Sequence, residues 1–125
     1  MKTVSVEQYN ADAVKMTWSN KVTDADVKQS FKEINNLLTV ADHPVFVIVD
    51  ILADPKFPIA ATLTGALFGP YRNANLREWL IVGSNNTARF IERTLSSTTG
   101  RVIVRWFANE AEVNAYITKM SEEVA

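Results

Sequence analysis

Apolar and polar residues change their spacing several times along this chain, and each change marks an element. Val4 and Val6 alternate with Thr3, Ser5 and Glu7, which predicts a strand over residues 3–9. After a turn at Asn10-Ala11-Asp12, Val14, Met16 and Trp18 alternate with Lys15, Thr17 and Ser19. That is a second strand, placed to pair antiparallel with the first. Both keep a polar face, so they belong towards a sheet edge, open on one side to water or a partner. Thr23 and Asp26 resemble a capping box with Asp in place of Glu, and Asp24 and Asp26 suit the positive end of a helix. Val27, Phe31, Ile34 and Leu38 then recur at helical spacing until Asp42-His43-Pro44, where the residue before proline is biased out of the helical region.

From Val45 the alternation disappears. Val45-Phe46-Val47-Ile48-Val49 are all apolar and mostly β-branched, the pattern of a central strand covered on both faces. Asp50 stands where that strand leaves the sheet, the end at which open α/β sheets bind ligands. It either hydrogen-bonds the following loop or lines a pocket mouth. Asp54-Pro55-Lys56-Phe57-Pro58 is a loop, and residues 59–68 form a helix of small and apolar residues stopped by Gly69-Pro70. Residues 76–83 are a strand. Asn85 or Asn86 caps a helix carrying Phe90, Ile91 and Leu95, expected to fray through residues 96–100. Residues 102–107 are the last strand. Asn109-Glu110-Ala111-Glu112 opens a helix with Val113, Tyr116, Ile117, Met120 and Val124 on one face. The order β-β-α-β-α-β-α-β-α predicts an α/β fold: a mixed five-stranded sheet, largely parallel, with right-handed crossovers and an antiparallel first edge strand. Nothing within residues 1–125 divides it, so a single domain is expected.

Composition narrows the function classes. With 47% apolar and 22% charged residues the chain should fold, and a formal charge of −1 argues against general nucleic-acid binding. The lack of cysteine excludes disulfides, thiolate metal sites and a cysteine nucleophile. The first residues have no long apolar core of a signal peptide, and the longest uncharged stretch, 57–71, is too short and broken to span a bilayer. A cytoplasmic protein without a transmembrane segment is the expectation.

Candidate chemistry is sparse. His43 is the only histidine, and it precedes the Val45 strand while Ser19 and Ser84 follow theirs. In parallel strands those positions lie at opposite ends of the sheet, so no hydrolytic triad and no zinc site is expected. No cofactor motif is present, and Gly65-Ala66-Leu67-Phe68-Gly69 lacks the lysine and preceding strand of a phosphate loop. Val82-Gly83-Ser84-Asn85-Asn86 leads into a helix amino terminus that either is simply capped or holds an anion with Arg89. Six arginines cluster between Tyr71 and Phe107; Arg101 and Arg105 either contact an anionic partner or pair with the acidic last helix. Phe57, Pro58, Ile59, Leu63, Leu67, Phe68 and Tyr71 would bury their helix all round if every one packed inward. They pack in the core, cover an apolar pocket or meet a partner.

Trp18-Ser19-Asn20-Lys21-Val22-Thr23, the strand ending in Val49-Asp50, Trp79-Leu80-Ile81-Val82-Gly83, and Val104-Arg105-Trp106-Phe107 before Asn109-Glu110-Ala111-Glu112 carry a resemblance. From Val14 to Met120 the chain is similar to the SpoIIAA-like superfamily. That group includes STAS domains, bacterial anti-anti-sigma factors among them, and small stand-alone bacterial proteins of uncharacterised function. The resemblance implies a non-enzymatic interaction or regulatory domain with no cofactor, a protein partner and a homodimer. Anti-anti-sigma factors carry Asp-Ser-Ser-Gly or Asp-Ser-Thr-Gly after the strand that ends in Asp. Here that place holds Pro58-Ile59-Ala60, so only Thr62 or Thr64 could take a phosphate. The fold is also similar to CRAL-TRIO lipid-binding domains, which implies the alternative of a small hydrophobic ligand or lipid under residues 57–71. Asp50, Phe57, Ile59, Leu63, Leu67, Phe68 and Tyr71 are the candidate partner or ligand surface.

Overall fold

Two strands with period-two patterning and three with apolar cores form one five-stranded sheet in the computed structural model, which describes residues 3–100 and 103–124. In chain order the elements are β1 (Val4–Asn10), β2 (Ala13–Trp18), α1 (Asp24–Val40), β3 (Val45–Asp50), α2 (Ile59–Phe68), β4 (Leu76–Val82), α3 (Asn86–Thr99), β5 (Val104–Phe107) and α4 (Glu110–Val124). A single 3-10 turn, Pro70–Arg72, follows α2. The strands lie in the order β1-β2-β3-β4-β5; β1 and β2 are antiparallel and all other neighbours parallel. The fold is therefore α/β and mixed, with β3 at the centre and β1 as the antiparallel edge.

Alternation along β3 divides the core in two, because successive side chains of a strand point to opposite faces. Val45, Val47 and Ile51 join Val14, Met16, Trp18 and Trp79 under α1, α2 and α3. Phe46 and Ile48 join Ala13, Leu80 and Val82 under α4, through Val113 and Ile117. Three helices thus cover one face and one helix covers the other. One strand breaks the alternation. Between Val45 and Val47 of β3, β4 runs from Leu76 to Trp79 with one residue more, a bulge that places both of those side chains in the larger cluster. Arg77 and Glu78 occupy the interruption.

Capping accounts for three of the four helix starts. Thr23 and Asp26 form the reciprocal box at α1, Asn85 accepts from the Ala88 N–H at α3, and Asn109 accepts from the Glu112 N–H at α4. At α4 the Glu112 carboxylate also returns to the Ala108 N–H. Three sequence expectations need correction. The Ser/Thr-rich end of α3 does not fray: helix continues to Thr99, whose hydroxyl donates to the Leu95 carbonyl, and Gly100 closes it at φ 70°. Phe90 is exposed, so Ala88, Ile91 and Leu95 make the buried face of α3. The last strand spans only Val104–Phe107, Val102 lying outside the described residues. The side chain of Val124 also lies outside them.

Candidate functional site

The helix α2 is inverted. Its sequence, Ile-Ala-Ala-Thr-Leu-Thr-Gly-Ala-Leu-Phe, contains large apolar residues, yet the fully buried positions are Thr62 and Ala66. Gly65 lies so close to α1 that a Cβ there would sit 2.5 Å from the Phe31 ring. Of the large residues, Phe68 is 63% exposed and Ile59 is 44% exposed, while Leu63 and Leu67 are half-buried and pack against the larger cluster. Tertiary neighbours rather than periodicity decide this orientation, since the helix carries small or apolar residues on most sides and has little preferred face.

Small residues on the inner face of α2 leave space beneath it. A cavity of about 70 Å³ lies between α2, α3 and the sheet. Its wall includes a run of aromatic rings in edge, tilted and stacked contact. Phe57 meets Trp18 at 5.0 Å between centroids, Trp18 meets Phe31 at 6.1 Å, Phe31 meets Trp79 at 6.2 Å and Trp79 stacks on Tyr71 at 5.6 Å. Ile91 and Leu95 of α3 complete the apolar lining, and Glu92 is its one charged member among the described residues. The Thr62 hydroxyl donates to the carbonyl of Pro58, the residue just before α2, at 2.6 Å. The indole N–H groups of Trp18 and Trp79 are buried and have no acceptor among the described residues. Leaving such a donor unmatched costs about 1–3 kcal/mol.

Not all the residues singled out from the sequence come together. Phe57, Thr62 and Tyr71 line the cavity; Ile59, Thr64 and Phe68 lie on the exposed outer side of α2. Asp50 is on the other face of the sheet. Its carboxylate accepts from the Leu52 N–H at 2.9 Å and lies 3.9 Å from Lys15 Nζ, which donates to Glu110 of α4 at 3.0 Å. Burial works against the Lys15 charge, but the bond and charge of Glu110, with Asp50 behind it, hold the ammonium above its ordinary range. The site around Asp50 is thus an ion-paired cluster under α4, separated by the sheet from the cavity under α2.

Arg105 does not pair with the acidic last helix. Its Nε donates to Glu78 of the neighbouring strand at 2.6 Å, and the bulge that re-phases β4 supplies that carboxylate. Glu78 also accepts from the Tyr116 hydroxyl. Burial first, then that bond, push the Tyr116 phenol up to about 12. Arg101 lies outside the described residues. Arg89 donates to Ser84 at 2.9 Å and stacks 4.0 Å over the Trp106 ring, so its charge is already engaged at the α3 amino terminus.

His43 bonds Asp42 through Nδ1 at 2.5 Å and the Ala11 carbonyl through Nε2 at 2.9 Å. A hydroxyl absent from the sequence reading comes near: Ser121 of α4 donates to Asp12, which lies 3.5 Å from His43. The carboxylate stands between hydroxyl and imidazole, so the Ser121 proton has no direct path to His43. Among the described residues no group of three or more His, Asp or Glu is arranged to hold a metal, and no helix is long and apolar enough to cross a membrane.

The sequence pattern does not single out the lining tryptophans either. Each sits on a strand position facing α1–α3, where the sequence reads simply as core. Only their common exposure to one cavity and their unmatched donors distinguish them.

No family model and no curated protein matches the chain. Among solved structures it is similar to an uncharacterised protein of the DUF3478 family with a SpoIIAA-like fold from Shewanella loihica PV-4. The TM-score is 0.62 at 16% identity, over 90% of each chain. At that identity the likeness shows the fold, and the fold is SpoIIAA-like.

Proposed function

We propose that this chain is a non-enzymatic binding module whose ligand is a small hydrophobic molecule held beneath α2. The observation that carries this reading is the inverted helix. Thr62, Gly65 and Ala66 face inward where larger residues would have filled the core, and an aromatic-walled cavity of about 70 Å³ results. Cores are ordinarily close-packed, and an apolar cavity forfeits roughly 24 cal/mol per Å³ of stability. A ligand recovers that loss. The volume is about half of the ~150 Å³ that admits benzene in an apolar cavity. A ligand of several carbons therefore needs α2 to move outward. Of the four helices, α2 is the one with no side-chain cap at its amino terminus, and Gly69 follows its last turn. Native mass spectrometry of freshly purified protein and thermal melts with added n-octane test the proposal. A co-purified mass or a raised melting temperature supports it; neither one appearing removes it.

A second reading rests on the outer side of the same helix. Phe68 and Ile59 present apolar surface to water there, with Arg72 stacked 4.7 Å over the Phe68 ring. That surface would suit a protein partner, with a second copy of the chain the simplest case. Size-exclusion chromatography with light scattering decides the self-association part, and a monomer at high micromolar concentration rules it out.

A further inference from the structure

We propose that His43 works as a pH-operated clip. Its imidazolium holds the β1–β2 turn in place and, through Asp12, the last turns of α4, and loss of one proton releases both. The ring stands in the connection between α1 and β3. Its Nδ1 lies 2.5 Å from Asp42 of the same connection. Its Nε2 lies 2.9 Å from the Ala11 carbonyl and 3.5 Å from Asp12, both in the turn between β1 and β2. Each of these neighbours is a carbonyl or a carboxylate, groups that accept hydrogen bonds. A neutral imidazole has one N–H and can satisfy only one side of that arrangement. Both sides are bonded at once only when the ring carries two protons.

Asp12 passes the effect onward. Its Oδ1 faces His43, and its Oδ2 accepts from the Ser121 hydroxyl at 2.8 Å. The first half of α4 is fastened independently, by buried Val113 and Ile117 and by the bonds of Glu110, Asn114 and Tyr116. Beyond Ile117 the only side-chain hydrogen bond to the rest of the protein among the described residues is the one to Asp12. Met120 packs beside it on the margin of the Phe46 cluster. When the ring gives a proton to solvent, the remaining one stays on Nδ1, at the shorter contact with the Asp42 carboxylate. Nε2 then turns a lone pair on the Ala11 carbonyl, and the two repel. The turn moves off, and Asp12 goes with it.

The charges facing the ring are Asp42 from its own connection and Asp12 from the turn. From α4 comes the Ser121 hydroxyl on Asp12, while Lys119 and Glu122 make no ion pair with His43. The Asp42 bond, then the Ala11 carbonyl, hold the imidazole above its ordinary value. The clip is therefore closed below the ordinary imidazole value and opens as pH rises through the raised one.

Amide hydrogen exchange by mass spectrometry, corrected for the intrinsic effect of pH, tests this beside NMR titration of the His43 ring. In the unaltered chain, residues 118–122 should lose about three- to tenfold in protection from about pH 6 to about pH 9, the factor for one hydrogen bond. His43→Gln should leave these residues weakly protected at both ends of that range. Ser121→Ala should do the same while leaving the imidazole titration where it was. A ring that titrates at or below the ordinary imidazole value overturns the clip. Protection of residues 118–122 that ignores the titration in the unaltered chain overturns it too, whether or not the variants fold. If the pH-dependent loss persists in Ser121→Ala, it runs through the stability of the whole fold and the link to α4 is wrong.

Discussion

Filling the cavity from inside the protein should stabilise the fold and abolish binding together. Ala66 is the residue to change, since it is 3% exposed, lies on the inner side of α2 and lines the space. Ala66→Leu adds three carbons there. Occupying 70 Å³ at roughly 24 cal/mol per Å³ returns about 1.7 kcal/mol. Fixing the new side chain costs about 0.5–1 kcal/mol in rotamer freedom, and the helix-propensity change is a few tenths at most. The expected net gain is about 0.5–1 kcal/mol, which raises the melting temperature by about 2–6 °C in a chain of this size. Urea unfolding followed by circular dichroism measures the first quantity, and titration with n-octane the second. Destabilisation by more than about 1 kcal/mol would mean that α2 has no room beneath it. Stabilisation with undiminished octane binding would place the ligand elsewhere.

Three further changes probe the frame around that site. Gly83 has φ 97°, and a Cβ there would meet the Ile51 and Leu52 backbone at 3.2 Å; Gly83→Ala should cost about 1–3 kcal/mol, read as a lower urea midpoint, and a neutral result would contradict the positive φ. Thr23→Ala removes the α1 capping box and should cost about 1 kcal/mol, whereas Thr23→Ser retains most of the stability in the same melts. His43 should give a pH-dependent term. The Asp42 bond, then the Ala11 carbonyl, raise its pKa, so its contribution is complete below the unfolded imidazole value and disappears as pH rises through the folded one. Asp42, depressed chiefly by its bond to His43, contributes above the unfolded carboxylate value and loses its effect as acid protonates it in the fold. The stability difference between the unaltered chain and His43→Gln should therefore be largest near about pH 6 and shrink towards about pH 9. A difference that grows with pH would reverse the assignment.

Much of the fold was legible because the chain keeps local and global signals in agreement. Thr23 with Asp26 marked α1, the β-branched run of residues 45–49 marked the centre of the sheet, and Ile59–Phe68 was visible as a helix from its flanking prolines and glycine. The bulge was not. One extra residue between Leu76 and Trp79 has no composition of its own, yet it sets Glu78 beside Arg105 and Tyr116. The end of α3 looked soft because serine and threonine favour turns, but their hydroxyls bond back into the helix at Ser96 and Thr99. For the site, grouping Asp50 with residues 57–71 followed their nearness in sequence, but Asp50 lies with Lys15 and Glu110 on the face covered by α4, and α2 covers the opposite one. A helix with small or apolar residues on most sides carries little pattern to fix its rotation, so the cavity appears only once the packing is known.

The unequal covering of the sheet has a consequence for how the chain is made. Strand order follows sequence order, so each strand–helix unit can dock on the edge left by the previous one as it is synthesised. The face bearing Phe46, Ile48, Leu80 and Val82 has no cover until α4 arrives, and α4 comes last. That helix then reaches back to the first hairpin, through Lys15 with Glu110, Tyr9 with Asn114 and Asp12 with Ser121. Until residues 110–124 have left the ribosome, a nearly complete sheet carries an open apolar face. Chaperone capture and aggregation of nascent chains should therefore be greatest for lengths that stop just short of α4.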